Sequence, residues 1–515
     1  MNRTAYAWMN LPWERGHLAR KCRPYAPLLR LAAHSDGDGQ DARAPRDAAR
    51  KAFAAAVLLS WILTAEAGDA VPLALHEVLA AATRAFPALL AAEQRKEAAA
   101  GERLAAEGGF DTLLKSQNRW SVAGLYENRN YDVSVEQPTG LWGATFFGGW
   151  RRGLGDYPVY EGKSLTATDG EARVGVNVPL WRNGSIDRRR ASLTQAELGE
   201  LIAGHEYDQA LIELRRVAAH RYWDWVLAGR RLRVADAMLD IAEKRDAGIR
   251  RRAAAGDIAE FEAADNQRAI LERRERQVAA RRLLEQTAIQ LSLYWRDEQG
   301  QPQLPDAGRL PTGFPEAEPV VSKDFADALT TAQAQRPELR RLDLQGRQTE
   351  TELELQRNQQ APGVDFSVMG ARDIGPGKDK LNREELYLGL NIDIPLQRRV
   401  AGGRAQAAAA NLQRLKLEKQ LADDRIAAEV RDALSAVEAA RQRLELAGRQ
   451  RQAAKRLEEG ERTRFELGES TLLFVNLREI ASGDAALMEA DAANALFKAH
   501  ADYQAALGTD LHTPP

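Results

Sequence analysis

The residue types that most often carry catalysis are few in this chain and wrongly spaced for it. Seven histidines are scattered through 515 residues. His76-Glu77-Val78-Leu79-Ala80 opens like a zinc-peptidase helix but lacks the second histidine at i+4, and His205-Glu206 lacks it too. Gly375-Pro376-Gly377-Lys378 reads as a turn, because no Gly-Lys-Ser/Thr opens a helix there as a phosphate loop requires. The single cysteine, Cys22, lies so early that it falls in the leader argued below, which leaves no thiol chemistry and no disulfide framework afterwards. The triplets Arg188-Arg189-Arg190 and Arg250-Arg251-Arg252 read as solvated helix surface. No catalytic, cofactor-binding or metal-binding constellation emerges, so a non-enzyme without cofactors is expected. Lys and Arg (72) nearly cancel Asp and Glu (74), so no basic field exists to attract nucleic acid.

One small pattern does recur with chemical purpose. Gly256-Asp257 and Gly468-Glu469 each stand at the end of a long helical pattern and before a shorter one. Glycine suits the left-handed residue that ends a helix, and the acid after it suits the cap that starts the next. The patterns that these turns terminate run from Ile186 to about Ala255 and from Gly403 to Leu467. Each would be about 100 Å long at 1.5 Å per residue. Helices of that length do not fit inside a compact domain and must pack along one another. Return helices are expected over about Ala259 to Tyr294 and Thr471 to Leu507.

What precedes each long helix is also said twice. RVGVNVPLWRNGSIDRRRASL starts at Arg173, and YLGLNIDIPLQRRVAGGRAQAAAANL starts at Tyr387. Ala172, Val174, Val176 and Val178 alternate with Glu171, Arg173, Gly175 and Asn177. Leu386, Leu388, Leu390, Ile392 and Ile394 alternate likewise with Glu385, Tyr387, Gly389, Asn391 and Asp393. Period-2 alternation of aliphatic against polar predicts strands with one dry and one wet face. Each has a weaker strand upstream, over Val364, Phe366 and Val368 in the second half and somewhere between Trp120 and Trp150 in the first. Trp120, Trp142, Trp150 and Trp181, with Tyr126, Tyr131, Tyr157 and Tyr160, fit an aromatic girdle. The first strand region is some thirty residues longer than the second and rich in glycine, so its excess forms a loop or an extended strand pair. Further upstream, Pro87 after Phe86 and Pro337 after Arg336 each predict a new helix with proline in its first turn.

About two strands per half gives four per chain, and four strands cannot close a barrel. Open sheet edges are not viable in hydrocarbon. The strands therefore require either a soluble sheet or an oligomer that pools them. No run of 18 apolar residues predicts a transmembrane helix. Ala52 to Leu63 is a shorter apolar run, preceded by Arg43, Arg46, Arg50 and Lys51 and followed by Ala65-Glu66-Ala67. It reads as a secretory signal peptide cleaved after Ala67. The basic region before it is unusually long, which a start codon further downstream would explain.

Together these features resemble the outer-membrane efflux protein family, the TolC-like channel-tunnels. The resemblance rests on the helix–proline–helix lead-ins Phe86-Pro87-Ala88-Leu89 and Arg336-Pro337-Glu338-Leu339. It rests equally on the strand exits Val178-Pro179-Leu180 and Ile394-Pro395-Leu396, and on the turns Arg252-Ala-Ala-Ala-Gly256-Asp257-Ile258 and Arg464-Phe-Glu-Leu-Gly468-Glu469-Ser470. Arg221-Tyr-Trp-Asp-Trp-Val-Leu227 is similar to the family's aromatic stretch on the first long helix. The resemblance covers nearly everything after residue 70.

It implies a mostly α fold with membrane β: a duplicated helix-strand-strand-helix unit whose homotrimer forms a 12-stranded β-barrel continued by a long α-helical barrel. The implied domains are 1–67 as N-terminal extension and signal peptide, 68–300 as repeat 1 and 301–515 as repeat 2. The implied role is the exit duct of a tripartite efflux or secretion system, passive and placed in the cell outer membrane with its helical tunnel in the periplasm. Its partners would be outer-membrane lipid, a periplasmic adaptor and an inner-membrane pump of the RND or ABC type. Pro179 and Pro395 would mark the strand–helix junctions, and Gly256, Asp257, Gly468 and Glu469 the periplasmic-tip turns. Glu262 falls at an acidic family position, and with Glu260, Glu466 and Glu469 it would form a cation-favouring mouth. Phe465, Ser470, Phe474 and Leu477 depart from the family's usual gating residues. A periplasmic adaptor or coiled-coil scaffold is the alternative, but it would carry a single helical hairpin, whereas this chain carries two.

Overall fold

The computed structural model describes residues 71–158, 165–316, 324–377, 381 and 383–509. The expected signal peptide, Tyr160 and Lys378 lie outside the described residues.

Among the described residues, eight α-helices and six strands fall into two halves. The first half runs α1 (Leu75–Ala85), α2 (Pro87–Glu107), β1 (Leu113–Ser121), β2 (Asn128–Pro138), β3 (Thr145–Gly155), β4 (Glu171–Pro179), α3 (Arg188–Ala254) and α4 (Glu260–Ser292). The second runs α5 (Phe325–Gln335), α6 (Pro337–Asn358), β5 (Gly363–Asp373), β6 (Glu384–Asp393), α7 (Arg399–Glu466) and α8 (Leu472–Leu507). No described helix is long and apolar enough to cross a membrane, which says nothing about the sheet.

The lead-ins form for local reasons. Phe86 and Arg336 cap α2 and α6 with nearly the same extended backbone (φ −76, ψ 121 and φ −67, ψ 119), and Pro87 and Pro337 take the first helical position. A residue before proline is pushed out of the α region, and proline lacks the N–H that this position would leave unpaired. Two short helices meeting at a bend result each time. The long helices α3 and α7 have 67 and 68 residues, so each spans about 100 Å. Asp187 starts α3, its carboxylate accepting from the N–H groups of Arg189 (2.8 Å) and Arg190 (3.0 Å).

Two apolar clusters hold the halves. Trp223, Trp225, Tyr222 and Val226 of α3 pack with Val78 of α1, Leu291 of α4 and Phe497 of α8. The aromatic stretch noted in the sequence is thus core: Trp223 stacks on Phe497 at 4.3 Å, and the Tyr222 hydroxyl donates to the Leu73 carbonyl at 2.8 Å. The second cluster joins Ile426, Val430 and Val437 of α7 to Leu496, Ala499 and Ala506 of α8, with Ala328 and Ala332 of α5 closing it. Small residues dominate the buried face of α8, which lets long helices approach closely without a wide core.

All six strands form one antiparallel meander in the order β1-β2-β3-β4-β5-β6. The first half therefore carries four strands where two were expected, and the helix-strand-strand-helix unit holds only for the second half. The excess length of the first strand region is an extra strand pair. Its alternation is broken because β1 (Leu113–Ser121) places polar Ser116 and Asn118 between Leu114 and Trp120 on its outward face and β3 is interrupted by glycines. The 12-stranded count rested on four strands per chain and does not follow from six.

Candidate functional site

Residues paired across an antiparallel ladder share a face, so the register assigns every side chain of the sheet. Val176 pairs with Phe146 on one side and Val368 on the other, and Val368 with Leu388. That face also carries Val133 and Val135 of β2, Trp150 of β3, Val174 and Val178 of β4, Phe366 of β5, and Leu386, Leu390 and Ile392 of β6. It is dry in composition yet open: Leu388 is 65% exposed. Leu141, Trp142, Leu180, Trp181 and Leu396 extend the exposed apolar surface at the helix end of the sheet. Trp120 and Tyr131 pair at the opposite end, 6.1 Å apart.

The other face is a charged surface. Arg173 of β4 reaches across β3 to Asp132 of β2 at 2.6 Å. The strand between offers Gly149 opposite Arg173, and a Cβ there would lie 2.8 Å from the Val133 carbonyl. Glycine is what lets β3 lie this close to β2 beneath the arginine. Arg151 pairs with Glu171 at 2.7 Å, Lys115 with Glu136, and Arg182 with Asp393 at 2.6 Å. Asn177, Asp365 and Asn391 line the same side. The sheet is thus apolar and exposed on one face and ion-paired on the other.

Pro179 is the last residue of β4, and Pro395 lies two residues beyond β6. At the first junction the Leu180 N–H donates to the Val364 carbonyl at 2.7 Å and the Arg182 N–H to the Pro362 carbonyl at 3.3 Å, so backbone pairing runs a few residues past the proline. At the second, Arg398 caps α7 in a left-handed conformation.

The two glycine turns are built alike. Gly256 (φ 82) donates to the Ala253 carbonyl and Asp257 to that of Arg252. Gly468 (φ 81) donates to Phe465 and Glu469 to Arg464. Both are Schellman closures, which need a left-handed residue where glycine sits. The expected capping role of the acids is corrected: the caps of α4 and α8 are Ala259 and Thr471, neither with a side-chain hydrogen bond. Asp257 and Glu469 instead close the preceding helix through their backbones. Glu260, Glu466, Asp257 and Glu469 are exposed and Glu262 is half-buried, and all five lie beside the two glycine turns. Arg252 sits over the Phe465 ring at 5.6 Å and ties the two turns together.

A polar core that the sequence reading missed lies one level inward. Glu479 of α8 is 3% exposed and accepts from Arg245 of α3 at 2.8 Å and from Arg273 of α4 at 2.7 Å. Arg245 also donates to Asn476 (2.8 Å) and Asn266 (3.3 Å), and Asn266 donates to Asp246 (2.9 Å). Arg273 donates its other nitrogen to the Met238 carbonyl at 2.7 Å. Arg462 of α7 approaches Glu479 at 3.8 Å and pairs with the buried Glu458 at 2.6 Å. Burial pulls the pKa of Arg245 below its ordinary value, and Glu479 pulls it back. All four helices of the two hairpins meet in this one network. Arg245 and Glu479 each lie eleven residues from their turn glycine, about 16 Å along the helix.

A duplicated helical hairpin hung from an antiparallel sheet with unlike faces is a fold shared with solved outer-membrane channels. The MtrE outer-membrane channel of Neisseria gonorrhoeae aligns over 84% of this chain and 89% of its own, with a TM-score of 0.60 at 16% identity. The outer-membrane protein VceC of Vibrio cholerae aligns over 85% and 97% (TM-score 0.59, 15% identity). The outer-membrane channel OprN aligns over 85% and 90% (TM-score 0.59, 15% identity). No protein-family model and no curated protein sequence matches the chain. At such identities the shared property is the fold.

Proposed function

We propose that this chain is the outer-membrane exit duct of a tripartite efflux or secretion system, a passive homotrimeric channel whose helical tunnel crosses the periplasm. The observation that carries the proposal is the sheet: one face apolar and exposed, the other covered with ion pairs, and both edges unpaired among the described residues. Such a sheet is unstable in water and incomplete in lipid. Copies arranged in a ring remove both problems. Lipid then covers Leu388 and its neighbours, and Arg173, Asp132 and Asp365 face a water-filled lumen.

A duct of this kind needs no active site. Cargo moves down a gradient set elsewhere, so energy comes from an inner-membrane pump of the RND or ABC type, joined through a periplasmic adaptor. The two halves, 68–300 and 301–515, each supply one helical hairpin to the wall. Glu260, Glu262, Glu466 and Glu469 surround the periplasmic mouth and favour cations there. The network on Glu479 holds the two hairpins of one chain in register above that mouth.

Fractionation tests the proposal. The expected result is recovery from the outer-membrane fraction, only with detergent, as a heat-sensitive trimer that conducts ions in a planar bilayer. Recovery as a soluble periplasmic monomer would overturn it.

A further inference from the structure

We infer that the closed barrel of this protein has eighteen strands, with β1 of each copy pairing antiparallel to β6 of the next. The inference rests on the trimeric duct proposed above and adds to it the strand number, the seam and the lumen width.

Three observations fix the seam. β1 runs away from the helices and β6 runs toward them, so the two free edges of neighbouring copies meet antiparallel, like every other pair in the sheet. Their wet faces carry opposite charge, Lys115 and Arg119 on β1 and Glu385 and Asp393 on β6. The seam would extend the pairs that Lys115 makes with Glu136, Asp393 with Arg182 and Glu385 with Tyr387 inside the chain. The stagger of the sheet also closes. From Leu113 the ladder runs through Glu136, Phe147, Gly175 and Met369 to Tyr387, six residues short of Asp393. Leu113 and Asp393 belong to the same level of the molecule. The Phe110 carbonyl beside β1 is bonded by Gln137, Gly109 lies against Arg189 at the start of α3, and Arg182 a few residues earlier binds Asp393.

Setting Leu113 beside Asp393 of the neighbour thus shifts the register by six residues over six strands. At about 3.4 Å per residue and 4.8 Å per strand this tilts the strands by about 35°, inside the range that closed barrels adopt. The even shift keeps dry face with dry face: Leu114 falls opposite Ile392, and Trp120 opposite Leu386. Lys115 falls opposite Asn391 and diagonal to Asp393, and Arg119 diagonal to Glu385. The outward polar residues of β1 satisfy each other, Asn118 donating to Ser116 at 3.2 Å. Eighteen strands at that tilt give a backbone diameter of roughly 34 Å, against roughly 23 Å for twelve.

Cryo-electron microscopy of the detergent-solubilised full-length protein, counting strands in the barrel, is the test. A trimer with eighteen strands and β1–β6 seams is the expected result. A trimer with twelve strands overturns this inference and leaves the duct standing. A soluble monomer overturns the duct and this inference with it. As a second measurement, Lys115→Cys with Asn391→Cys in a Cys22→Ser background should give intermolecular disulfide-linked trimers on mild oxidation. Cross-linking of Thr145→Cys to Asn391→Cys in its place would put β3 at the seam and overturn the eighteen-stranded count.

Discussion

Replacing Glu479 by glutamine removes the negative charge that contacts the half-buried Arg245 at 2.8 Å and the buried Arg273 at 2.7 Å. The carboxylate is 3% exposed and Arg273 4%, so water cannot take over the role. Removing one partner of a buried ion pair costs about 3–5 kcal/mol, chiefly because the remaining charge stays desolvated. Here two cations remain, and the nearby Arg462 adds a third. The loss falls on the contact between the hairpins, while the apolar clusters around Trp223 and Val430 are untouched. Local opening of the tip should therefore become easier without global unfolding. Hydrogen exchange of peptides spanning 472–484 in the assembled protein reads this directly. At about 1.4 kcal/mol per tenfold, their protection should fall roughly 100- to 3,000-fold. Replacing the whole cluster (Arg245→Met, Arg273→Met, Glu479→Leu) should restore most of it, because apolar groups of similar volume need no partner. A fall below about fivefold for Glu479→Gln would refute the reasoning, since it would show the network to be solvated in practice.

Other outcomes are expected from the same structure. Gly256→Ala and Gly468→Ala should each destabilise its turn by about 1–2 kcal/mol through left-handed strain, seen as faster proteolytic nicking at that turn only. Leu388→Arg should cost about 2–4 kcal/mol of barrel stability at mid-membrane and lower the yield of inserted trimer, whereas Asn391→Arg on the wet face should insert normally. The double variant Glu262→Gln, Glu469→Gln should lower the cation-over-anion permeability ratio in single-channel recordings, and an unchanged ratio would rule out the acidic mouth. Acid should destabilise the bundle through α8. Burial lowers the pKa of His500, while burial raises that of Asp502 but His220 (2.9 Å) and Arg216 (3.0 Å) outweigh it and hold it low. Both groups bind protons more readily unfolded than folded, so stability is full above their unfolded values and falls as pH drops, from about pH 6.5 for His500 and about pH 4 for Asp502. The melting temperature should decline between pH 7 and 5.5, less steeply in His500→Gln, and a constant or rising value would contradict the assignment.

The chain by itself determined whatever is decided by neighbours a few residues apart. Phe86-Pro87 and Arg336-Pro337 had to bend between two helices, because proline restricts the residue before it. Gly256 and Gly468 had to end helices, since a left-handed closure there strains any residue with a side chain. Alternation at Val174–Val178 and Leu386–Ile392 fixed two strands and their dry faces. Tertiary structure decided what depends on partners far away. β1 has no alternation of its own and becomes a strand only because β2 pairs with it. Arg173 finds Asp132 only because β2, β3 and β4 pair side by side. Arg245 and Glu479 are 234 positions apart, each an ordinary helix residue in sequence, and only the crossing of two 100 Å hairpins buries them against each other. The strand number followed the same rule. A sheet edge is a property of pairing, and no single segment announces which strand will stand there.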